Sequence, residues 1–224
     1  MQTVVITGAN RGIGLALTKL YLTLGMKVVA LCRTSSPELK ATDAIIIDNI
    51  ELTDINAIAA IPARIESQLG NCSIDYLINN AGIFLNEALP TLDIKSIQEQ
   101  FTVNALAPIT LSTALLPLLS PNAKIAFITS RMGSISDNSS GAYYGYRMSK
   151  AALNAGAVSL ARDLYRQGIA VAILHPGFVQ TQMVNFTGDI SADTAAERLA
   201  RRIDELNLAN SGSFWHSNGD VLPW

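Results

Sequence analysis

The sequence predicts an α/β fold, with a doubly wound parallel sheet of about seven strands covered by helices on both faces. Its short apolar segments are continuous rather than alternating, which is typical of parallel strands buried on both sides. Helix-length segments separate them, and this alternation indicates three layers, α/β/α. No linker rich in Pro, Gly and Ser divides the 224 residues, so we expect one domain covering 1–224.

The individual elements follow from these patterns. The predicted strands are TVVIT at 3–7, KVVAL at 27–31, AIII at 44–47, IDYLI at 74–78, KIAFIT at 124–129 and IAVAIL at 169–174. The predicted helices cover 12–24, 54–68, 93–119, 143–166 and 191–208. Pro108 and Pro117 predict a kink or break in the third helix. The loops 131–142 and 178–190 follow strand ends, where open α/β sheets bind ligands.

Composition and charge exclude several classes of protein. A net charge of −2 gives no basic field that would attract nucleic acid or an anionic membrane. The N-terminus lacks the pattern of a signal peptide, and no segment reaches the length of a membrane span, so we expect a cytoplasmic protein. Cys32 and Cys72 are too few for a disulfide framework. Neither they nor His175 and His216 have metal-ligand spacing, so no metal is expected.

A glycine-rich segment, TGANRGIG at 7–14, joins the first strand to the first helix. Gly8, Gly12 and Gly14 allow a tight turn and a close approach of the backbone to a pyrophosphate. The free N–H groups at the start of the helix also favour phosphate. An ordinary glycine-rich turn is the alternative, but the flanking strand and helix favour a dinucleotide site.

The end of the second strand predicts which dinucleotide binds. An acidic residue there would bind the adenosine ribose and repel a 2′-phosphate. Arg33 occupies this region instead, and Arg11 lies in the glycine loop. A guanidinium matches phosphate in charge and geometry, so NADP(H) is expected over NAD(H). The alternative is that both arginines are solvated surface charges.

The segment GAYYGYRMSK at 141–150 contains three tyrosines, a candidate acid among them. Tyr146 and Lys150 are four residues apart, so in a helix they share a face. A nearby ammonium is expected to lower the pKa of the tyrosine and make it a better acid-base group. Tyr143 and Tyr144 lack this spacing. The alternative is a packing tyrosine beside a surface lysine.

Six motifs occur in one order along the chain: TGANRGIG, NNAG at 79–82, VN at 103–104, ITS at 128–130, YRMSK at 146–150 and HPG at 175–177. In these motifs the sequence resembles the short, non-extended branch of the short-chain dehydrogenase/reductase family. It looks most like the C-factor-like and carbonyl-reductase-like members. The resemblance implies a Rossmann fold and an NAD(P)-dependent oxidoreductase.

The resemblance also implies four catalytic residues. Tyr146 would donate a proton to a carbonyl oxygen, and Ser130 would hydrogen-bond that oxygen as negative charge develops on it. Lys150 would hold the nicotinamide ribose and tune Tyr146, while Asn104 would hold a water that relays protons through Lys150. Ser134 is a rival to Ser130, as is Ser136.

The implied cofactor site includes both ends of the dinucleotide. Its residues are Gly8, Asn10, Arg11, Gly12, Ile13, Gly14, Arg33, Glu51, Leu52, Asn80, Ala81, Gly82, Tyr146, Lys150, Pro176, Gly177, Val179 and Thr181. The family usually has Asp-Val near the adenine. Aligning ELTD there gives Glu51 and Leu52, and the alternative is Asp48. His175 is expected to lie beside the HPG turn without a catalytic role.

The expected function is NADPH-dependent reduction of a small ketone or aldehyde, or oxidation of the alcohol. The alternatives are an idle nucleotide-binding signalling protein and a sugar-nucleotide epimerase, which the short chain disfavours. Apolar candidates for the substrate pocket are Met132, Phe178, Met183, Val184 and Phe186. The small residues of helix 143–166 allow close packing, and in the family this helix pairs with its symmetry mate. A homodimer or homotetramer is therefore expected.

Overall fold

The computed structural model describes residues 1–70 and 73–224. Cys72 lies outside the described residues, and Cys32 is a buried free thiol. The fold is a seven-stranded parallel sheet with the strand order β3-β2-β1-β4-β5-β6-β7. The strands are β1 Thr3–Thr7, β2 Lys27–Leu31, β3 Ile45–Ile47, β4 Ile74–Asn79, β5 Leu119–Ile128, β6 Ala170–His175 and β7 Phe214–His216. The predicted fold class is confirmed.

Helices cover both faces of the sheet. They are α1 Gly12–Thr23, α2 Pro37–Lys40, α3 Ile55–Ala59, α4 Ile61–Leu69, α5 Ile94–Phe101, α6 Ala107–Leu115, α7 Tyr144–Leu164 and α8 Ala192–Asp204. The predicted helix 54–68 is divided at Ala60, and Pro62 lies in the first turn of α4, where a missing N–H costs little.

The predicted helix 93–119 is interrupted at both of its prolines. A π-helical turn, Thr102–Leu106, joins α5 to α6 immediately before Pro108. Pro108 has no N–H to donate to the carbonyl of Asn104 four residues earlier, and its ring crowds that carbonyl. A wider turn accommodates both effects. Pro117 lies in a short 3₁₀ turn, Leu116–Leu118, that ends the helical segment.

Alternate residues of each strand pack on opposite faces of the sheet. Val5 and Leu77 pack on the face that α6 and α7 cover, through Leu111 and Leu153. Ile6 and its neighbours face Leu17 of α1 and Leu199 of α8. Because both faces are buried, each strand is apolar throughout, which is why the continuous apolar segments predicted a doubly covered sheet.

The helical segment Ile94–Leu118 is long and apolar enough to meet the length and composition of a membrane span. Its residues Leu111 and Leu115 are buried in the core against the sheet. A core helix meets the same criteria, so this segment is weak evidence for a membrane span.

Candidate active site

A cleft of about 410 Å³ opens along the carboxyl ends of the strands. The strand order reverses between β1 and β4, and open α/β sheets bind ligands at such a switch point. Most of the predicted cofactor residues line this cleft: Gly8, Asn10, Arg11, Gly12, Ile13, Arg33, Glu51, Leu52, Asn80, Ala81, Gly82, Tyr146, Lys150, Pro176 and Thr181. Gly14, Gly177 and Val179 are not among the lining residues.

The conformation of the glycine loop at the start of α1 requires residues without a side chain at three positions. Gly8 and Gly12 have φ angles of +65° and +52°, in the left-handed region that favours glycine. A Cβ on Gly14 would overlap the carbonyl oxygen of Gly8 and lie 2.6 Å from Asn80 Nδ2. Gly14 therefore acts behind the cleft wall, by letting the helix approach the loop closely.

The NNAG motif holds this loop in place. Thr7 Oγ1 accepts hydrogen bonds from the backbone N–H groups of Asn80 and Ala81, both at 3.0 Å. Asn80 Nδ2 donates to the carbonyl oxygens of Thr7 at 3.0 Å and Gly8 at 3.3 Å. Asn10 Nδ2 donates to Thr34 O at 2.9 Å, so Asn10 also fastens the loop to the segment after β2. Asn80 from outside the glycine loop and Asn10 from within it therefore both shape the phosphate end of the cleft.

Glu51 and Leu52 line the predicted adenine end, whereas Asp48 does not. The carboxylate of Asp48 accepts hydrogen bonds from Ser35 Oγ at 3.2 Å and Asn49 Nδ2 at 3.1 Å. Arg33 Nη1 lies 4.0 Å from Glu51 Oε2, and the two side chains are 62 % and 48 % exposed. A long, exposed pair of this kind is weak, so Arg33 can turn toward an anionic ligand.

Arg11 contacts the opposite wall of the cleft. Its guanidinium donates to the side-chain oxygen of Gln182, in a 3₁₀ turn, Gln182–Val184. A Cβ on Gly12 would lie 3.2 Å from Thr181 Cγ2. The loop 178–190 therefore closes against the glycine loop in this structure, and the phosphate role of Arg11 stays a prediction.

The chemical end of the cleft brings together the residues predicted from ITS and YRMSK. Ser130 follows β5, and its hydroxyl lies near the phenol of Tyr146, whose pKa it lowers. Lys150 Nζ lies 5.8 Å from the centre of the Tyr146 ring and donates to Ile128 O at 2.9 Å. The two alternative serines form hydrogen bonds to other residues. Ser134 Oγ accepts one from Asp137 N at 3.1 Å, and Ser136 Oγ donates one to Trp224 O at 2.7 Å.

Burial determines the protonation states of Tyr146 and Lys150. It raises the pKa of Tyr146 to about 12, and the nearby Ser130 hydroxyl only partly offsets this. Burial also lowers the pKa of Lys150 to about 8. The predicted lowering of the Tyr146 pKa by Lys150 is therefore wrong for this structure, because desolvation of the phenolate dominates. The phenol stays protonated at neutral pH and is poised to donate.

Asn104 lies in the π-helical turn, and its side-chain amide forms hydrogen bonds within the protein. Oδ1 accepts from Ile83 N at 2.8 Å, and Nδ2 donates to Ile83 O at 2.9 Å and to Ser149 Oγ at 3.0 Å. A water held here would therefore use the main-chain carbonyl of Asn104, which Pro108 cannot reach with an N–H. The predicted proton relay stays a prediction.

The other two tyrosines do not line the cleft. Tyr143 precedes α7 with a φ of +55°, outside the helix predicted to include it. Its ring packs 5.5 Å from that of Phe84, which meets Tyr146 edge-on at 5.0 Å. Phe84 was not predicted as a site residue, because only the fold brings the segment after NNAG against α7.

His175 ends β6 and is buried beside His216, with ring centres 4.9 Å apart. Burial lowers the pKa of His175 to about 3, so it is neutral at physiological pH. It does not line the cleft, which favours the non-catalytic interpretation. Within residues 1–70 and 73–224, no group of three or more His, Cys, Asp or Glu side chains could hold a metal ion.

The predicted apolar candidates for a substrate pocket are only partly brought together. Met183 and Phe186 line the cleft, whereas Met132, Phe178 and Val184 do not. Ile83 and Val103 line it and were not predicted. The apolar lining of the cleft thus comes from separate segments of the chain.

Comparison with known proteins agrees with this geometry. The family model described as short chain dehydrogenase matches residues 2–218. The chain belongs to this family. It is 34 % identical over 228 residues to the 1-hydroxy-2-glutathionyl-2-methyl-3-butene dehydrogenase of Rhodococcus sp. strain AD45, covering 100 % of both chains. The predicted resemblance is confirmed.

Two further relatives match the branch predicted from the motifs. The C-signal protein of Myxococcus xanthus is 42 % identical over 154 residues, which cover 67 % of this chain and 93 % of the relative. The crystal structure of an NADPH-bound carbonyl reductase from chicken fatty liver superposes with a TM-score of 0.92 at 31 % identity, covering 100 % of this chain and 99 % of the other.

Proposed function

We propose that the protein reduces a small ketone or aldehyde with NADPH, with Tyr146 as the proton donor. The observation that carries the proposal is a half-buried phenol, held protonated by desolvation beside the Ser130 hydroxyl, in the same cleft as the glycine loop. A dinucleotide and a carbonyl group could share this cleft, with the proton donor between them.

The residues of the cleft fit NADPH. The glycine loop leaves a cradle at the N-terminus of α1 that a Cβ on Gly8 would narrow, since it would lie 2.9 Å from Ala81 Cα. Arg33 is exposed and only weakly paired, and a guanidinium there suits a 2′-phosphate. NADPH bound to the chicken relative supports the same choice here. When bound, the cofactor supplies the hydride.

The protein's own groups control the proton and the carbonyl oxygen. In the proposed reaction, Ser130 and Tyr146 donate hydrogen bonds to that oxygen, and these bonds strengthen as negative charge develops on it. Tyr146 then transfers its phenolic proton to the oxygen. Lys150 is buried nearby as a cation below pH about 8, where it can hold the nicotinamide ribose.

The alternative function is a nucleotide-binding signalling protein without turnover, which the similarity to C-signal motivates. The complete set of Ser130, Tyr146 and Lys150 favours an enzyme, because a sensor has no need of a proton donor. The proposal includes a cytoplasmic location, as the sequence predicts. The name of the Rhodococcus relative describes oxidation of an alcohol, which is the reverse of the proposed reaction.

The test is NADPH consumption with a panel of ketones and aldehydes, comparing the unmodified protein with Tyr146→Phe. This change keeps the ring and removes the proton, so kcat should drop by roughly 10²–10⁴-fold. NADPH affinity, measured by fluorescence titration, should persist. Tyr144→Phe is the matched control and should retain activity. Equal turnover by Tyr146→Phe, with chemistry shown to be rate-limiting, would refute the acid role.

A further inference from the structure

Glu87 is a buried carboxylate that the proposed chemistry does not use. It lies in the segment between β4 and α5, and only 3 % of its surface is exposed. An unpaired carboxylate would be costly at such a place, so its partners show what it does. These partners come from two different helices.

One carboxylate oxygen binds α5. Glu87 Oε1 accepts a hydrogen bond from Ser96 Oγ at 2.6 Å and another from the side-chain amide of Gln100. Gln100 is itself fully buried, and its Oε1 accepts from Leu85 N at 3.0 Å. That bond orients the Gln100 amide so that its NH₂ group faces Glu87.

The other oxygen binds the start of α7. Glu87 Oε2 accepts from Gly145 N at 3.0 Å, one residue before Tyr146. The main-chain oxygen of Glu87 accepts from Tyr143 N at 2.9 Å. The residue preceding α7 provides no side-chain cap of its own. Glu87 therefore supplies from outside the helix both the acceptor and the negative charge that helix N-termini favour.

The fit around this contact is close. A Cβ on Gly145 would lie 2.6 Å from Gln100 Nε2 and 2.7 Å from Glu87 Oε1. Gly141, Ala142 and Tyr143 all have positive φ angles, so the chain enters α7 through an unusual turn that needs support. Such a turn sets the direction of the first helical residues, Tyr146 among them.

We propose that Glu87 is a positioning residue that fixes the first turn of α7 against α5 and so aims the Tyr146 phenol at Ser130. The role rests on the proposed function. Glu87 acts through Gly145 and Tyr143 and touches neither substrate nor cofactor. Loss of its bonds should misplace the phenol while leaving the glycine loop intact.

The sharpest test exchanges the two partners. In Glu87→Gln the new amide faces the Gln100 amide as donor against donor, and in Gln100→Glu two carboxylates face each other. In the double exchange, the amide at position 87 donates to the carboxylate at position 100 and its oxygen still accepts from Gly145 N. Each single variant should lower kcat by up to about 10²-fold, because a small displacement of the Tyr146 phenol has a cost of this size. The double exchange should restore most of the lost kcat, and the NADPH affinity should be unchanged in all three variants.

A second readout is independent of turnover. Hydrogen exchange of the amides at 143–150 should accelerate in Glu87→Gln and return toward the unmodified rate in the double exchange. Ser96→Ala removes one donor and gives a milder variant that stays folded, and Glu197→Gln on the exposed face of α8 is the control. If the unmodified protein reduces no carbonyl compound, the proposed function fails and exchange alone decides the role of Glu87. Additive losses in the double exchange, or unchanged amide exchange at 143–150, would overturn the inference.

Discussion

Burial shifts the pKa values of both Tyr146, the proposed proton donor, and the neighbouring Lys150. Burial raises the pKa of Tyr146 to about 12 and lowers that of Lys150 to about 8. Each shift favours the uncharged form, as expected for groups removed from water. The phenol therefore stays protonated across the physiological range, and the lysine is the group whose charge changes first as the pH rises.

A pH dependence follows from this order. Below pH about 8 Lys150 is cationic, and above it the cation is lost while Tyr146 remains protonated. We expect kcat/KM for NADPH, which reports the free protein, to be flat below pH about 8 and to fall about tenfold per pH unit above it. Initial rates between pH about 6 and about 10 measure this. A profile flat to pH about 10 would contradict the role of the lysine cation.

Arg33 carries the predicted cofactor preference. Arg33→Asp replaces a phosphate partner with a carboxylate that repels the 2′-phosphate. Losing a charge-assisted hydrogen bond worth about 1.5–3 kcal/mol should cut the preference for NADPH over NADH by about 10–100-fold. The ratio of kcat/KM values for the two cofactors measures it. Arg166→Asp, an equal charge change at an exposed site after α7, should leave the ratio unchanged. No preference in the unmodified protein would contradict the assignment.

At the scale of elements, the close packing of α1 against the loop after β1 requires glycine at position 14. Gly14→Ala would push the helix from the loop, because the added Cβ overlaps the Gly8 carbonyl oxygen. Displaced N–H groups lose phosphate bonds worth about 1.5–3 kcal/mol each, so NADPH affinity should drop about tenfold or more by fluorescence titration.

Gly25→Ala is the control for this change. It lies after α1 with a φ of +75° and open space around its Cβ position, so alanine there costs about 1–2 kcal/mol of stability through the backbone alone. Its NADPH affinity should stay unchanged while its unfolding temperature drops. Equal affinity losses in both variants would attribute the Gly14 effect to general instability.

The sequence predicted those elements whose cause is local. Continuous apolar strands, the glycine loop and the Tyr146–Lys150 spacing are all visible in short segments, and the structure places them at one cleft. β7 was absent from the predicted strands because an edge strand of only three residues has too short a hydrophobic pattern to be recognised. The direction of the Tyr146 pKa and the cap at Gly145 depend on tertiary burial and on a contact between residues 58 positions apart, which spacing cannot reveal.

At the scale of the whole molecule, the outer face of α7 is the surface through which the sequence predicts that the chain assembles. Met148 is 52 % exposed on this helix, and Ala155 and Ser159 are exposed further along it. Leu106, in the adjoining π-helical turn, is also 52 % exposed. Small and apolar residues on a helix face allow a second helix to approach closely, which agrees with the homodimer or homotetramer predicted from the family.

A single large cation at the centre of this face tests the assembly. Ala155→Arg would place a guanidinium against its own symmetry mate, adding both bulk and like-charge repulsion to a close-packed contact. We expect a shift to the monomer mass in native mass spectrometry and in light scattering coupled to gel filtration. Ala63→Arg, the same change on the exposed face of α4, should keep the mass of the unmodified protein.

Since Tyr146 and Lys150 lie on the first turns of the same helix, loss of the contact should also lower kcat by loosening α7. An unmodified protein of monomer mass would show instead that α7 is held by its own chain alone, through contacts such as those of Glu87.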